Sequence, residues 1–223
     1  MLRAIDVTKR HAGASASTPA LQGVNLTIGA GDFACIVGRS GSGKSTLLNV
    51  LATLLTPDAG EIRYEDRSLS GLPGHELDRL RSTDFSMVFQ MHHLLPYLSA
   101  LENVLVPFFK RLAPVSAATR AKALACLDRV GLADKAGRLP GRLSGGEQQR
   151  VAIARALVTA PRIIFADEPT GSLDRTTGNT VMDLLREFNA EGITVVMVTH
   201  EPRYASMASR VVEIEDGRVK QAQ

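Results

Sequence analysis

The segment from Gly38 to Ser45 reads GRSGSGKS and satisfies the pattern G-x-x-x-x-G-K-[ST] of a phosphate-binding loop. It follows the apolar stretch FACIV, which is typical of a strand, and it opens a helical pattern that begins KSTLLNVL. Glycines let such a loop curl until its N–H groups face phosphate oxygens, and the helix N-terminus adds partial positive charge. A plain Gly/Ser turn before a helix is the alternative, but strand, loop, Lys-Ser pair and apolar helix occur here in the required order.

Two side chains at the end of this loop have specific tasks. Lys44 is placed to bridge the β- and γ-phosphates of a nucleotide, and the Ser45 hydroxyl is placed to bind Mg²⁺. The residues of this loop that we expect to contact the nucleotide are Gly38, Arg39, Ser40, Gly41, Ser42, Gly43, Lys44, Ser45 and Thr46.

A pair of carboxylates, Asp167 and Glu168, directly follows the apolar stretch IIFA. Ligands of open α/β sheets bind at the carboxyl ends of strands, which is where this pair is expected. There Asp167 can hold Mg²⁺ through water, and Glu168 can orient and polarise a water molecule that attacks the γ-phosphate. Two acids that cap a solvated turn are the alternative. The phosphate loop favours the catalytic interpretation, because the pair supplies what that loop lacks.

A second helix start suited to anions lies in LSGGEQQR, which runs from Leu143 to Arg150. Ser144 is a candidate N-cap, and the two glycines after it leave N–H groups exposed. The spacing of Ser144 and Glu147 also fits a capping box, so a purely structural cap stays open. The chain thus has two phosphate-ready helix starts and a single metal-and-water pair. A dimer in which the second helix start completes the site of another subunit resolves this mismatch.

Short apolar strand patterns alternate with helical patterns, and together these elements must position the residues above. The predicted strands are Leu2–Val7, Val24–Ile28, Phe33–Val37, Glu61–Tyr64, Phe85–Phe89, Ile163–Ala166, Thr194–Thr199 and Val211–Ile214. The predicted helices are Lys44–Leu55, Ala100–Leu112, Ala117–Val130, Gly146–Thr159, Thr177–Ala190 and Pro202–Ser209.

The order of these elements indicates how the chain is organised. From Ile163 onward, strands and helices alternate, which indicates right-handed βαβ units and a parallel sheet. The stretch from about 91 to 160 carries helical patterns only, so we predict a helical subdomain inserted into the α/β core. Residues 12–20 are predicted to form a hairpin tip between early antiparallel strands.

Composition excludes several classes of protein. Hydrophobic residues make up 44% and charged residues 22% of the 223 residues, as in a globular domain and unlike a disordered chain. The net charge is only +3 and no run of Lys or Arg exceeds two residues, which disfavours nucleic acid as a partner. The longest apolar run, FACIV, is far shorter than the ~20 residues of a membrane span. Cys35 and Cys126 are too few for a disulfide framework or a four-ligand metal site, which favours two buried thiols.

These motifs, together with Gln90, GSLD and His200, occur in the order and spacing of the ATPase domain of ABC transporters, which essentially the whole chain resembles. The resemblance implies an α/β fold of the P-loop NTPase (ABC ATPase) class with a mostly parallel core sheet, an N-terminal antiparallel β-subdomain and an inserted helical subdomain. It implies a single domain over residues 1–223. FQMHHLLPYLSALENV, RVAIARALV and ADEPTGSLD are most similar to the lipoprotein-releasing, macrolide-efflux and cell-division ATPases.

The resemblance also implies roles for single residues. Gln90 links Mg²⁺ and the attacking water to the membrane partner, and His200 contacts the γ-phosphate. Asp174 lies in a loop that crosses the dimer interface, although by itself it indicates only a cap of the next helix. His11 stands where the family has an aromatic residue that stacks on adenine. The residues that face the nucleotide of the partner subunit are Ser144, Gly145, Gly146 and Glu147. The expected catalytic residues are Lys44, Gln90, Glu168 and His200, and the expected Mg²⁺ ligands are Ser45, Gln90 and Asp167.

We therefore expect an Mg²⁺-dependent ATPase that forms a homodimer upon ATP binding and drives a bacterial ABC transporter complex. It would power export or extraction of a lipoprotein, lipid, drug or peptide through separate transmembrane permease subunits that dock near Gln90–Leu98. We expect it in the cytoplasm, peripheral on the inner face of the membrane. The alternative is a nucleotide-gated regulator of a cell-division or cell-wall membrane partner, without cargo transport. An ABC ATPase that works on ribosomes or DNA is disfavoured, because such chains usually hold two ATPase domains or long coiled-coil insertions.

Overall fold

The computed structural model describes residues 1–10, 19–109 and 114–222 of the chain. The strands are β1 (Leu2–Lys9), β2 (Leu21–Ile28), β3 (Phe33–Val37), β4 (Ala59–Tyr64), β5 (Arg67–Ser68), β6 (Phe85–Phe89), β7 (Ile163–Asp167), β8 (Thr194–Val198), β9 (Arg210–Glu215) and β10 (Arg218–Ala222). The helices are α1 (Lys44–Leu51), α2 (Gly74–Thr83), α3 (Ala100–Leu105), α4 (Ala117–Arg129), α5 (Gly145–Leu157), α6 (Arg175–Ala190) and α7 (Pro202–Ala205). Short 3-10 helices span Val106–Phe108, Ala133–Lys135 and Pro140–Arg142.

The larger of two sheets has the strand order β10-β9-β3-β8-β7-β6 and is parallel except for the pair of β9 and β10. Its register pairs Phe89 with Asp167 and Asp167 with Val198, so that β6, β7 and β8 end at the same level. On the other side of β8, Val198 pairs with Ile36 near the end of β3. The residues that follow four neighbouring strands therefore meet at one edge of the sheet, as the sequence analysis required.

Both faces of this sheet are covered, which is why its strands are apolar without alternation. Residues of β3 alternate between two clusters. Phe33 and Cys35 pack with residues of α3 to α6, whereas Ala34 and Ile36 pack with residues of α1 and the smaller sheet. Cys35 and Cys126 are both buried and free, and burial raises the pKa of the Cys35 thiol to about 12. These thiols act as small apolar side chains, as expected.

The smaller sheet is antiparallel, with the strand order β2-β1-β4-β5. It packs on α1 through apolar residues of β1 and β2, among them Leu2, Val7 and Ile28. This sheet is the N-terminal antiparallel part of the expected fold. Most of the hairpin tip predicted at 12–20 lies outside the described residues.

Between β6 and β7, the part of the chain that the structure describes forms helices and turns without any strand. Helices α3, α4 and α5 share one apolar cluster, to which Leu101, Val104, Leu127 and Val151 contribute. The boundaries of a separate helical subdomain at about 91 and 160 stay a prediction.

Three predicted helices extend four or more residues beyond the observed end. Helix α1 ends at Leu51 and not at Leu55, because Thr53 adopts the left-handed conformation (φ 60°) that stops a helix. Helix α3 ends at Leu105, where Pro107 lacks the N–H that a further turn needs, and residues 110–113 lie outside the described range. The last predicted helix, Pro202–Ser209, ends at Ala205, because Ser209 exchanges hydrogen bonds with the backbone of Phe33 at the start of β3.

Three elements were not predicted. Helix α2 has no fully buried side chain and packs on the core only through the partly buried Leu77 and Leu80, so its apolar pattern is too short for the periodicity on which the prediction relied. Strands β5 and β10 belong to hairpins whose two-residue turns, Glu65–Asp66 and Asp216–Gly217, have positive φ at both positions. No helix within the described ranges is long and apolar enough to span a membrane.

Candidate functional site

The phosphate loop connects β3 to α1, and its backbone surrounds the Lys44 side chain. The Lys44 ammonium is buried and donates to the carbonyls of Gly38 at 3.0 Å and Arg39 at 2.8 Å. Gly43 has φ 103°, and a Cβ at this position would lie 2.4 Å from the Ala20 carbonyl, so only glycine fits here. The loop therefore holds a cation inside a tight curl of backbone.

Two features of this loop fit a phosphate ligand. Helix α1 begins after Gly43 with no side-chain cap at its N-terminus. The Ser42 hydroxyl is buried without a hydrogen-bond partner. A buried hydroxyl and an uncapped helix start are groups that an anion satisfies.

The Ser45 hydroxyl and the Asp167 carboxylate meet across the cleft between α1 and the end of β7. Ser45 Oγ donates to Asp167 Oδ1 at 3.0 Å. Burial raises the pKa of the Asp167 carboxyl; the Ser45 hydrogen bond opposes this rise and the neighbouring Glu168 carboxylate adds to it. A hydroxyl and a carboxylate are hard oxygen donors of the kind that Mg²⁺ prefers, so this pair fits the predicted metal ligands.

Glu168 and His200 face each other beyond this pair. His200 Nδ1 lies 3.2 Å from Glu168 Oε2, and the backbone N–H of Glu168 donates to the Val198 carbonyl at 3.0 Å. Glu168 has φ 46°, a left-handed conformation that few residues with a side chain adopt and that concentrates at functional sites. An open cavity of about 560 Å³ is lined by Ala20, Ser40, Gly41, Gly43, Lys44, Ser45, Thr46, Glu168 and His200.

The Gln90 side chain reaches the same place from the end of β6. A Cβ at Gly171 would lie 2.9 Å from Gln90 Nε2 and 3.2 Å from Glu168 Oε2, so the amide and the carboxylate converge on the space that Gly171 leaves open. Ser172 Oγ donates to the Gln90 carbonyl at 3.4 Å. The sequence analysis did not single out Gly171. Its signal was a glycine three residues after Glu168, in a segment interpreted only as a loop.

The segment LSGGEQQR caps its own helix. The Glu147 N–H donates to Ser144 Oγ at 3.3 Å, and the Ser144 N–H donates to Glu147 Oε2 at 2.8 Å, which completes a capping box at the start of α5. Lys135 forms an ion pair with Glu147, and its hydrogen bond holds the pKa of that carboxyl below the ordinary value. None of Ser144, Gly145, Gly146 and Glu147 is among the residues that line the Lys44 cavity.

Asp174 caps the next helix. Its carboxylate accepts from the N–H groups of Thr176 at 2.9 Å and Thr177 at 3.0 Å, and from the Thr177 hydroxyl at 2.6 Å. These bonds, above all the one from the Thr177 hydroxyl, hold the pKa of Asp174 below its ordinary value. The structure thus contains the cap that the sequence indicated. His11 lies outside the described residues.

Comparison with known proteins places this geometry in a family. A family model described as ABC transporter matches residues 21–171. The macrolide export ATP-binding/permease protein MacB 1/2 of Paracoccus denitrificans is 51% identical over 199 residues, which are 89% of this chain and 30% of that protein. The uncharacterised ABC transporter ATP-binding protein MJ1508 of Methanocaldococcus jannaschii is 45% identical over 219 residues, 98% of this chain and 97% of that protein.

The solved structures agree with the sequence relatives. The dimeric post-hydrolysis structure of the ATP-binding cassette MJ0796 bound to ADP and Pi has a TM-score of 0.91 and 42% identity, covering 100% of this chain and 98% of that one. The chain spans only 30% to 33% of the length of the macrolide-export relatives that it matches. The matched family model, the full-length relative and the solved cassette agree on one assignment: the chain belongs to the ABC transporter family and has the fold of its ATP-binding cassettes.

Proposed function

We propose that this chain binds and hydrolyses ATP and thereby drives a membrane permease. The observation that carries the proposal is the pairing of Glu168 with His200 at 3.2 Å beside a cavity that holds the Lys44 ammonium. A carboxylate next to a phosphate cradle can orient and polarise the attacking water, and an imidazole there can bind the γ-phosphate. His11 is our candidate for stacking on adenine.

The chemistry is an in-line displacement. Lys44 binds the β- and γ-phosphates, Glu168 orients and polarises the attacking water, and the His200 imidazole binds the γ-phosphate. Water attacks the γ-phosphorus, the bond to the bridging oxygen breaks, and ADP and inorganic phosphate result. Glu168 has a left-handed backbone, and its carboxylate lies beside Gln90 and His200, which supports this assignment.

Ser45 and Asp167, together with Gln90, would hold Mg²⁺. Bound there, the ion would neutralise charge on the β- and γ-phosphates. The oxygen donors of Ser45 and Asp167, 3.0 Å apart, fit this task.

Two copies of the chain would assemble head to tail upon ATP binding. Ser144, Gly145, Gly146 and Glu147 would then face the nucleotide of the partner subunit, and Asp174 would lie at the interface. The proposal is supported by the absence of these residues from the cavity of their own chain. The related cassette MJ0796 is described as a dimer.

The membrane partner would dock beside Gln90. Downstream of this residue, Met91 (71% exposed), Leu95 (47%) and Tyr97 (91%) present apolar surface, whereas Leu94 packs against the core. Clustered exposed apolar side chains on a protein surface mark an interaction site. We propose that this segment receives a permease on the inner face of the membrane. Relatives named as macrolide and pyoverdine exporters favour export as the process that is driven.

The test is replacement of Glu168 by glutamine, which keeps the shape of the side chain and removes its charge. Phosphate release at saturating Mg-ATP should fall by roughly 10²-fold or more, while ATP binding survives. Glu201→Gln is the matched control, because its carboxylate pairs with Arg203 and does not line the cavity. Equal turnover of the Glu168→Gln variant and the wild type would remove Glu168 from the mechanism.

A further inference from the structure

The side chain of Gln149 lies fully buried between the two loops that carry Gln90 and Glu168. Its Nε2 donates to the Phe89 carbonyl at 3.3 Å and to the Pro169 carbonyl at 2.8 Å. Phe89 directly precedes Gln90, and Pro169 directly follows Glu168. One amide group therefore ties together the backbones on either side of the proposed catalytic pair.

These two bonds also fix which way the amide faces. Because Nε2 uses both hydrogens on carbonyls, Oε1 faces the ring of His92, with which it forms a short hydrogen bond. A carbonyl oxygen only accepts, so Nδ1 of His92 must carry the hydrogen. The network thus specifies the Nδ1–H form of the His92 imidazole.

The turn at His92 and His93 needs such support. Both residues have positive φ, 57° and 48°, which is unfavourable for residues with a side chain. Arg155 donates to the His93 carbonyl at 2.7 Å and to the His92 carbonyl at 2.7 Å. Gln149 and Arg155 both belong to α5, so a single helix holds the strained turn that follows Gln90.

We propose that Gln149 is a positioning residue, which fixes the distance between Gln90 and Glu168 and ties both to the helix that begins at Ser144. The inference rests on the proposed ATPase function. Gln90 Nε2 and Glu168 Oε2 converge over Gly171. A small shift of either loop would therefore move these two atoms apart or bring them into a clash. The Lys44 loop is not part of this network. We therefore expect Gln149 to affect turnover more strongly than nucleotide affinity.

The first experiment is Gln149→Met, which keeps the length of the side chain and removes its hydrogen bonds. We expect kcat for ATP to fall roughly ten-fold or more, because a small displacement of catalytic groups is costly. KM for ATP should stay within about two-fold. Asn189→Leu is the matched control: it also removes two amide bonds to carbonyls, those to Gly31 and Ile193, far from the cavity. This variant should lose stability without losing kcat.

A second series keeps the inference testable if Gln149→Met does not fold. His92→Ala removes the ring, whereas His92→Asn keeps an N–H donor near the position of Nδ1 and tolerates a positive φ. We expect kcat to fall in His92→Ala and to recover in His92→Asn. In the wild type, nitrogen NMR of His92 should give the spectrum of an imidazole protonated at Nδ1.

The outcomes separate the two proposals. If the wild-type chain hydrolyses Mg-ATP and both Gln149→Met and His92→Ala keep the full kcat, the positioning role is overturned. The ATPase proposal is not affected by that result. A His92 ring protonated only at Nε2 contradicts the network directly. Wild-type chain that does not hydrolyse Mg-ATP overturns the ATPase proposal, and the positioning role with it.

Discussion

Helices α1 and α5 both begin in glycine-rich segments that the sequence marks as anion sites, yet their first turns are built differently. Helix α1 follows Gly43 and has no side-chain cap. Helix α5 is closed by reciprocal bonds between Ser144 and Glu147. The uncapped helix opens onto the cavity around Lys44, whereas the capped helix contributes no residue to that cavity.

The difference separates two tasks. An uncapped helix start is incomplete until a ligand satisfies its N–H groups, whereas a capped start is satisfied within its own chain. The Ser144 hydroxyl accepts from the Glu147 N–H and also hydrogen-bonds to the Glu147 carboxylate, so this helix start is satisfied without a ligand of its own chain. We infer that nucleotide binding by one chain depends on α1 and that assembly of two chains depends on α5.

The largest effect is expected from Lys44→Ala, which removes the cation at the uncapped helix. ATP affinity by calorimetry and ATP hydrolysis should both collapse, because no other cation lines the described part of this cavity except a protonated His200. Lys135→Ala removes a cation beside the capped helix and is the control; affinity of the single chain should be unchanged. Equal losses in the two variants would contradict the division of tasks.

The next effect concerns assembly. The Glu168→Gln variant should bind ATP without hydrolysing it, so we expect ATP to hold two copies of this variant together as a dimer. Ser144→Arg places a bulky charged side chain at the start of α5, so adding it to Glu168→Gln should abolish that dimer. ATP binding by the single chain should survive, because α1 is untouched. Light scattering with and without ATP measures the dimer. A Ser144→Arg chain that still dimerises would place the interface elsewhere.

A smaller effect concerns stability and pH. The Lys135 hydrogen bond lowers the pKa of Glu147, so this carboxylate adds stability above its ordinary value of 4.5 and loses that contribution as pH falls through the lowered pKa. Glu147→Gln should therefore cost stability at neutral pH and little in acid. Chemical denaturation of the variant and the wild type, at neutral pH and in acid, measures the difference in the free energy of unfolding.

The control for this pH effect is a second capping box. Glu102 caps α3 with Ser99, and its pKa is also lowered, chiefly by the Ser99 hydrogen bonds. Among the described residues it has no ion-pair contact like that of Lys135, and Arg120 adds only a smaller attraction. Glu102→Gln should show the same sign with a smaller amplitude. Identical curves for both variants would mean that Lys135 contributes no more to its cap than Arg120 contributes to the cap at Glu102.

The smallest effect on the isolated chain is expected from Tyr97→Asp. The Tyr97 side chain is 91% exposed, so ATP hydrolysis without a partner should stay within about three-fold of wild type. Binding to vesicles that contain the permease should be lost. Leu124→Asp changes another exposed apolar residue, on α4, and should keep vesicle binding. Normal binding of Tyr97→Asp would move the docking surface away from Gln90–Leu98.

The sequence alone was enough for the fold class, and it located the phosphate loop and the acidic pair after two strands of the same sheet; the roles of these residues stay predictions. These predictions rest on short motifs, as at Lys44 and Asp167, or on apolar runs. Both can be recognised without knowing which distant residues they contact. It also predicted the cap at Ser144, which the structure contains, and an anion site there, which stays a prediction. The two-residue turn Asp216–Gly217 carried a hairpin signal that was not used, and β10 was missed as a result.

The features of the site that the sequence did not predict depend on contacts between distant parts of the chain. Gln149 reads as one more polar residue of an amphipathic helix until the fold brings Phe89 and Pro169 to it. In the sequence, Gly171 is an ordinary loop residue. Only the structure shows that the Gln90 and Glu168 side chains approach the space where a side chain at this position would lie. Periodicity reports which face of an element is buried, and it carries no information about which backbone carbonyl lies opposite.

The register that ends β3, β8, β7 and β6 at one level also has a consequence for folding. Residues from four strands far apart in sequence form the site, so the site does not exist until the sheet is complete, and nucleotide has nothing to bind in the unfolded chain. Ligand present at a hundred times its dissociation constant would then add about 2.7 kcal/mol to the free energy of unfolding. For this chain, the nucleotide concentration around it is therefore also a determinant of how much of it stays folded.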